Sequence, residues 1–143
     1  MFAVLHVLGL MLAFFAITFV LPLACSLITG DGLVGDYLAA AALNVLVGVV
    51  LAVAFRRFRR ELAARDGFLL VTLAWVMMSA AASLPLMMAI PGLSFTDAYF
   101  EAMSGLTTTG STVLSGLDLL PPSVNLWRHA LHWFGGLGII VLA

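Results

Sequence analysis

Of 143 residues, 64% are hydrophobic and 9% are charged, with a formal net charge of −1. A soluble domain carries about 25% charged residues, so this chain has too little polar surface to enclose a water-soluble core, and lipid is its better solvent. The chain has no lysine and clusters its arginines between Arg56 and Arg65, which excludes the basic stripe of a nucleic-acid binder. Its single cysteine, Cys25, excludes an internal disulfide and a cysteine-based metal cluster.

Residues 2–29 carry no formal charge. About 20 helical residues cross a hydrocarbon core of about 30 Å, so this segment is the first expected spanning helix. It lacks the basic start of a secretory signal, and its apolar run is too long for one. Leu23-Ala24-Cys25 is close to a lipoprotein cleavage site, but Pro22 stands where an aliphatic residue is needed. Pro22 is expected to kink the helix or loosen its last turn. A short acidic turn, Gly30 to Asp36, follows. The second spanning run, Tyr37 to Phe55, stops at Arg56-Arg57-Phe58-Arg59-Arg60. Each arginine would cost about 2.5–3.5 kcal/mol at mid-membrane. The positive-inside rule puts this loop and the N-terminus in the cytoplasm and the Gly30–Asp36 turn outside. Contact of the arginine cluster with anionic lipid or a partner subunit is secondary to this stop signal. Gly67 to Pro91 is the third run, travelling outward, with Pro85 and Pro91 in its outer part.

The next element is different in kind. Ser94-Phe95-Thr96-Asp97 has the form of an N-terminal capping box. A helix from Phe95 to Leu106 would be about 18 Å long, too short to span. It carries Asp97 and Glu101, which are costly against lipid. Asp97 suits the cap. A short helix that enters from outside and returns as extended chain meets both constraints, provided the returning backbone is buried in protein or lines a wet cavity. Residues 113–126 form the outward return, with Pro121-Pro122 as a stiff turn. A fourth run begins near Trp127 and is still apolar at Ala143. The chain therefore reads as an N-terminal fragment whose missing part is C-terminal. The fold class expected is an all-α membrane protein with spanning helices, one re-entrant pore helix and an extended filter loop.

The chemistry concentrates in Leu106-Thr107-Thr108-Thr109-Gly110-Ser111-Thr112. In isolation this is an ordinary polar turn. Its position changes the reading: it follows a helix too short to span and lies on the outer side. A potassium ion sheds its water before entering a narrow pore, and backbone carbonyls replace that water. Gly110 supplies the backbone freedom needed to aim successive carbonyls at an axis, the threonines add hydroxyl oxygens, and the negative end of the preceding helix favours a cation.

Residues 95–114, from Phe95-Thr96-Asp97 through Gly105-Leu106-Thr107-Thr108-Thr109-Gly110-Ser111-Thr112-Val113-Leu114, resemble the first pore segment of the Trk/Ktr potassium-uptake family. Trp133-Phe134-Gly135-Gly136-Leu137-Gly138 and the residues to Ala143 resemble the start of the helix that follows it. The resemblance is strong over about residues 85–143; residues 1–60 fit as an extra N-terminal helix pair, which favours the Trk branch. It implies two units, 1–60 as that pair with its basic loop and 61–143 as a first helix–pore–helix repeat. It implies four such repeats around one pore, a homodimer of the full-length chain in the inner membrane, and a cytosolic nucleotide-binding regulatory subunit. Potassium is then the transported ion, with sodium as a second candidate, and no covalently bound cofactor is implied. Thr108, Thr109 and Gly110 match the family's ion-binding filter positions, flanked by Thr107, Ser111 and Thr112. Glu101 matches the position that supports the filter. A stricter potassium channel has a second glycine where Thr112 stands, a departure the family shares.

Several residues have plainer readings. Arg128 is expected to anchor the fourth helix at the outer interface with Trp127 beside it; a charge partnership with Glu101 is the alternative, which the spacing does not support. His129 and His132 share a helix face but lack a third ligand for a metal, so they and His6 are read as packing or interface residues. Gly135, Gly136 and Gly138 suit close helix packing, with a hinge as the sharper alternative. No serine–histidine, paired-aspartate or H-E-x-x-H arrangement suggests an enzyme. The competing function is a non-conducting membrane scaffold or assembly subunit.

Overall fold

The computed structural model describes residues 2–58 and 63–142, with side chains through 138. Arg59 and Arg60, in the expected arginine stop, and the expected boundary between residues 60 and 61 lie outside these residues. So do Ala143 and the side chains of residues 139–142. Among the described residues every regular element is helical: α1 (Phe2–Phe15), α2 (Val20–Thr29), α3 (Val34–Ala54), α4 (Ala64–Ala89), α5 (Phe95–Leu106) and α6 (Pro122–Leu142). Among the described residues three segments are long and apolar enough to cross a membrane: Phe2–Thr29, Val34–Ala54 and Ala64–Ala89.

The first span is continuous but not uniform. A 3-10 stretch, Ala16–Phe19, joins α1 to α2. Pro22 accounts for it, since the ring cannot donate to the carbonyl one turn back and crowds it. Thr18 Oγ1 turns back onto the Phe15 carbonyl at 2.7 Å. The span ends where Gly30 takes a left-handed conformation, φ 67°, and its N–H closes on the Ser26 carbonyl.

α1 and α3 pack at backbone distance. A Cβ on Gly9 would stand 2.5 Å from the Ala52 nitrogen, and one on Gly48 would stand 2.6 Å from the Ala13 nitrogen. Buried polar groups flank this crossing: Asn44 Nδ2 donates to the Leu12 carbonyl at 3.0 Å, and His6 Nδ1 meets the Ala52 carbonyl at 2.7 Å. In lipid, small residues and interhelical hydrogen bonds do the work that hydrophobic burial does in water.

α4 continues through Pro85 and stops at Ala89; Ile90 is extended, as the residue before a proline prefers. α6 starts at Pro122, more than a turn before the expected Trp127. Pro121-Pro122 is less a turn than a helix start, because proline at the first helical position has its φ preset and lacks only an N–H that no helix bond needs. Trp127 also departs from expectation. It is 0% exposed, not an interfacial anchor. Its ring stacks on Phe19 at 4.8 Å and its Nε1 donates to the Ala82 carbonyl at 3.0 Å, so it joins α6 to α4 and to the first span.

The start of α6 is capped from a distance. Proline at 121 offers no side-chain acceptor, and Asp31, in the turn between α2 and α3, takes the N–H of Ser123 at 3.3 Å. Asp31 also accepts from the Ser26 hydroxyl and from the Leu33 N–H, and Tyr37 donates to Ser123 Oγ at 3.2 Å. A carboxylate is favoured at a helix N-terminus by the free N–H groups and the macrodipole. Burial pushes the Asp31 carboxyl up, but its hydrogen bonds from Ser123, Ser26 and Leu33 outweigh this and hold it below the ordinary value of 3.8.

Two outcomes follow. Gly48→Ala should lower stability in detergent by about 1–3 kcal/mol, read by thermal unfolding. Gly35→Ala, where no atom lies within 4 Å of the new Cβ, should not. Because Asp31 has a lowered folded-state pKa, its contribution is present above 3.8 and is lost as pH falls below it. Asp31→Asn should therefore lower Tm at neutral pH, and the gap from the wild type should close in acid.

Candidate functional site: the turn after the short helix

α5 forms where its cap and its pattern place it. Ser94 Oγ accepts the Asp97 N–H at 3.1 Å and donates to Asp97 Oδ2 at 2.7 Å, satisfying part of the exposed helix start. One face, Ala98, Glu101, Ala102, Gly105 and Leu106, is buried against α4 and α6. Glycines allow the approach of α6. A Cβ on Gly105 would stand 2.9 Å from Leu131 Cβ, and one on Gly135 would stand 1.9 Å from the Leu106 carbonyl oxygen. Gly135 thus lies against the last carbonyl of the short helix, a place no side chain could occupy.

The helix closes through a two-bond turn. Thr108 N–H meets the Gly105 carbonyl at 2.9 Å, and Thr109 N–H meets that of Ser104 at 2.9 Å. These are the paired bonds of a Schellman end, with Thr108 in the left-handed position at φ 58°. Gly110 is left-handed as well, at φ 77°. Ser104 is the hub beneath. Its carbonyl receives two N–H groups of the turn, and its hydroxyl donates to the Ser111 carbonyl at 2.7 Å.

The hydroxyl protons of Thr107, Thr108 and Thr109 are all taken within the turn and the end of α5. Thr107 Oγ1 donates to the Met103 carbonyl and Thr108 Oγ1 to the Thr107 carbonyl. Thr107 and Thr109 hydroxyls lie 2.8 Å apart. Since a hydroxyl has one proton and that of Thr107 is on Met103, Thr109 must be the donor. Among the described residues no group donates to the carbonyls of Thr108, Thr109 and Gly110. The carbonyls of Thr107 and Ser111, by contrast, are taken. Residues 107–113 are exposed on this chain.

Glu101 ties the returning strand to the helices. The residue is 5% exposed. Oε1 accepts from the Thr112 hydroxyl, from the Val113 N–H at 2.7 Å and from the Leu114 N–H at 3.4 Å. Oε2 takes Nε and Nη2 of Arg128, each at 3.1 Å. Arg128 is therefore not the free interfacial anchor expected from sequence but the partner of a buried acid, and its Nη2 also reaches Thr112 Oγ1 at 3.3 Å. Charge balance was the available signal: the apolar stretch after Asp66 contains a single arginine, and a buried carboxylate needs one. His132 sits behind the turn with Nδ1 donating to the Arg128 carbonyl at 2.9 Å, so that nitrogen carries the proton. His129 is exposed.

Ser104 was missed because a serine inside an apolar helix carries no pattern of its own. A double-mutant cycle measures the brace. Arg128→Gln alone should cost about 3–5 kcal/mol by stranding the carboxylate, and Glu101→Gln in the same chain should restore part of that loss in thermal unfolding.

The TrkH cation transport protein family matches residues 35–143. Among curated proteins, the chain is 45% identical over 141 residues to the Trk system potassium uptake protein TrkH of Halomonas elongata, covering 98% of this chain and 29% of that protein. It is 40% identical over 142 residues to TrkH of Escherichia coli K12, covering 99% of this chain and 29% of that protein. The crystal structure of the potassium transporter TrkH from Vibrio parahaemolyticus superposes with a TM-score of 0.92 at 41% identity, covering 99% of this chain and 30% of that one. The chain thus spans under a third of the length of the relatives it matches. A family match over three-quarters of the residues, joined to a shared fold, settles the assignment: this membrane protein chain belongs to the TrkH cation transport family.

Proposed function

We propose that the chain supplies the first quarter of a pore for potassium uptake across the cytoplasmic (inner) membrane. Residues 1–60 are the added helix pair and 61–143 the first helix–pore–helix repeat, with the N-terminus in the cytoplasm. Thr108, Thr109 and Gly110 are the ion-binding positions, Thr107, Ser111 and Thr112 flank them, and Glu101 supports them. Four repeats in the full-length chain close the pore, two copies form a dimer, and a cytosolic nucleotide-binding subunit regulates it. The names of the similar proteins support the ion. No chemistry here calls for an enzyme or a bound cofactor.

One observation carries the reading. Three successive carbonyls, those of Thr108, Thr109 and Gly110, accept no hydrogen bond among the described residues, while the adjacent hydroxyls direct their protons away from them. Carbonyl oxygens with free lone pairs suit a dehydrated cation. The C-terminal end of α5 adds about half a negative charge beside it. The flanking oxygens are withdrawn: Ser111 holds Ser104, and Thr112 is bound to Glu101 and Arg128. The set of ligands per strand is short, which fits the lack of a second glycine.

The test uses the full-length chain in proteoliposomes. Gly110→Ser places a side chain at φ 77°, a conformation glycine tolerates best. Rubidium uptake should lose its preference over sodium. Unchanged selectivity would favour a non-conducting scaffold role for this segment.

A further inference from the structure

Thr108 occupies a position whose backbone suits glycine. Every other residue with positive φ among those described is a glycine: Gly30, Gly32, Gly92, Gly110 and Gly116. The left-handed place in a Schellman end is a glycine place for the same steric reason, because a Cβ there meets the following carbonyl. A β-branched residue fits it worst. The bonds that impose the conformation are both present, Thr108 N–H on Gly105 and Thr109 N–H on Ser104, each at 2.9 Å. Glycine would make the same two bonds without the strain.

The side chain makes contacts that glycine would lack. Oγ1 is fixed on the Thr107 carbonyl at 2.7 Å, which removes that carbonyl from those left without a donor. Cγ2 lies 4.0 Å from the point where a Cβ on Gly136 would stand, so the glycine leaves open the space between the methyl group and α6. The hydroxyl orders the turn along the chain.

We propose that Thr108 is a strained positioning residue: its hydroxyl holds the Thr107 carbonyl, and cation selectivity depends on that hold at the expense of stability. This rests on the permeation reading above. Strain held at a functional turn by surrounding structure is the expected form of such a compromise.

Thr108→Gly and Thr108→Asn both accept a left-handed backbone and remove the hydroxyl that holds the Thr107 carbonyl. In the full-length chain, each should show a Tm at or above that of the wild type. Each should also show rubidium-over-sodium selectivity reduced about tenfold, the scale of one lost hydrogen bond. A purely structural role would lower Tm together with transport. Wild-type selectivity in either variant, or a lowered Tm in Thr108→Gly, would overturn the proposal. Gly110→Ser serves as the control. If it loses selectivity while the Thr108 variants keep theirs, this proposal alone fails; if it too keeps selectivity, the permeation reading fails and this one falls with it.

Discussion

A carboxylate inside a membrane protein is tolerated only when its charge and its lone pairs are both taken. Glu101 meets the two conditions with different oxygens. Oε2 holds the guanidinium of Arg128, and Oε1 holds the returning chain at Thr112, Val113 and Leu114. The residue thereby joins three pieces that share no regular hydrogen-bonding pattern: a helix too short to span, an irregular strand, and a long helix. Irregular backbone at membrane depth needs such partners. Without the brace, the strand after Gly110 would have little to hold it.

The N-terminal helices are not a separate appendage. Trp127 of α6 is buried against Phe19 and hydrogen-bonded to α4, and α1 packs on α3 through Gly9 and Gly48. Close backbone approach recurs at Gly135 against Leu106. Small residues set the spacing at both contacts, as dispersion and polar pairing require in lipid.

The fold was largely legible in the residues. Charge-free runs bounded by Asp31 and by Arg56 located the spans, and Ser94 with Asp97 located the short helix to the residue. The beginning of α6 was misplaced because Pro-Pro signals both a turn and a helix start, and Ser123 and Asn125 read as loop. The polar groups of the site were legible as a set but not as a network. Glu101 and Arg128 meet only because Gly105 and Gly135 let α5 and α6 close on each other, a property of packing. The left-handed Thr108 had no signal at all, since such a helix end is ordinarily announced by glycine.

The remote cap on α6 has a consequence for assembly in the cell. Asp31 precedes Ser123 by 92 positions, and segments nearer the N-terminus leave the ribosome first. The acceptor for the start of α6 is therefore made and inserted before α6 exists. The leading helices act as a template that later chain docks onto, which makes the order of translation part of how this end of the unit finds its register.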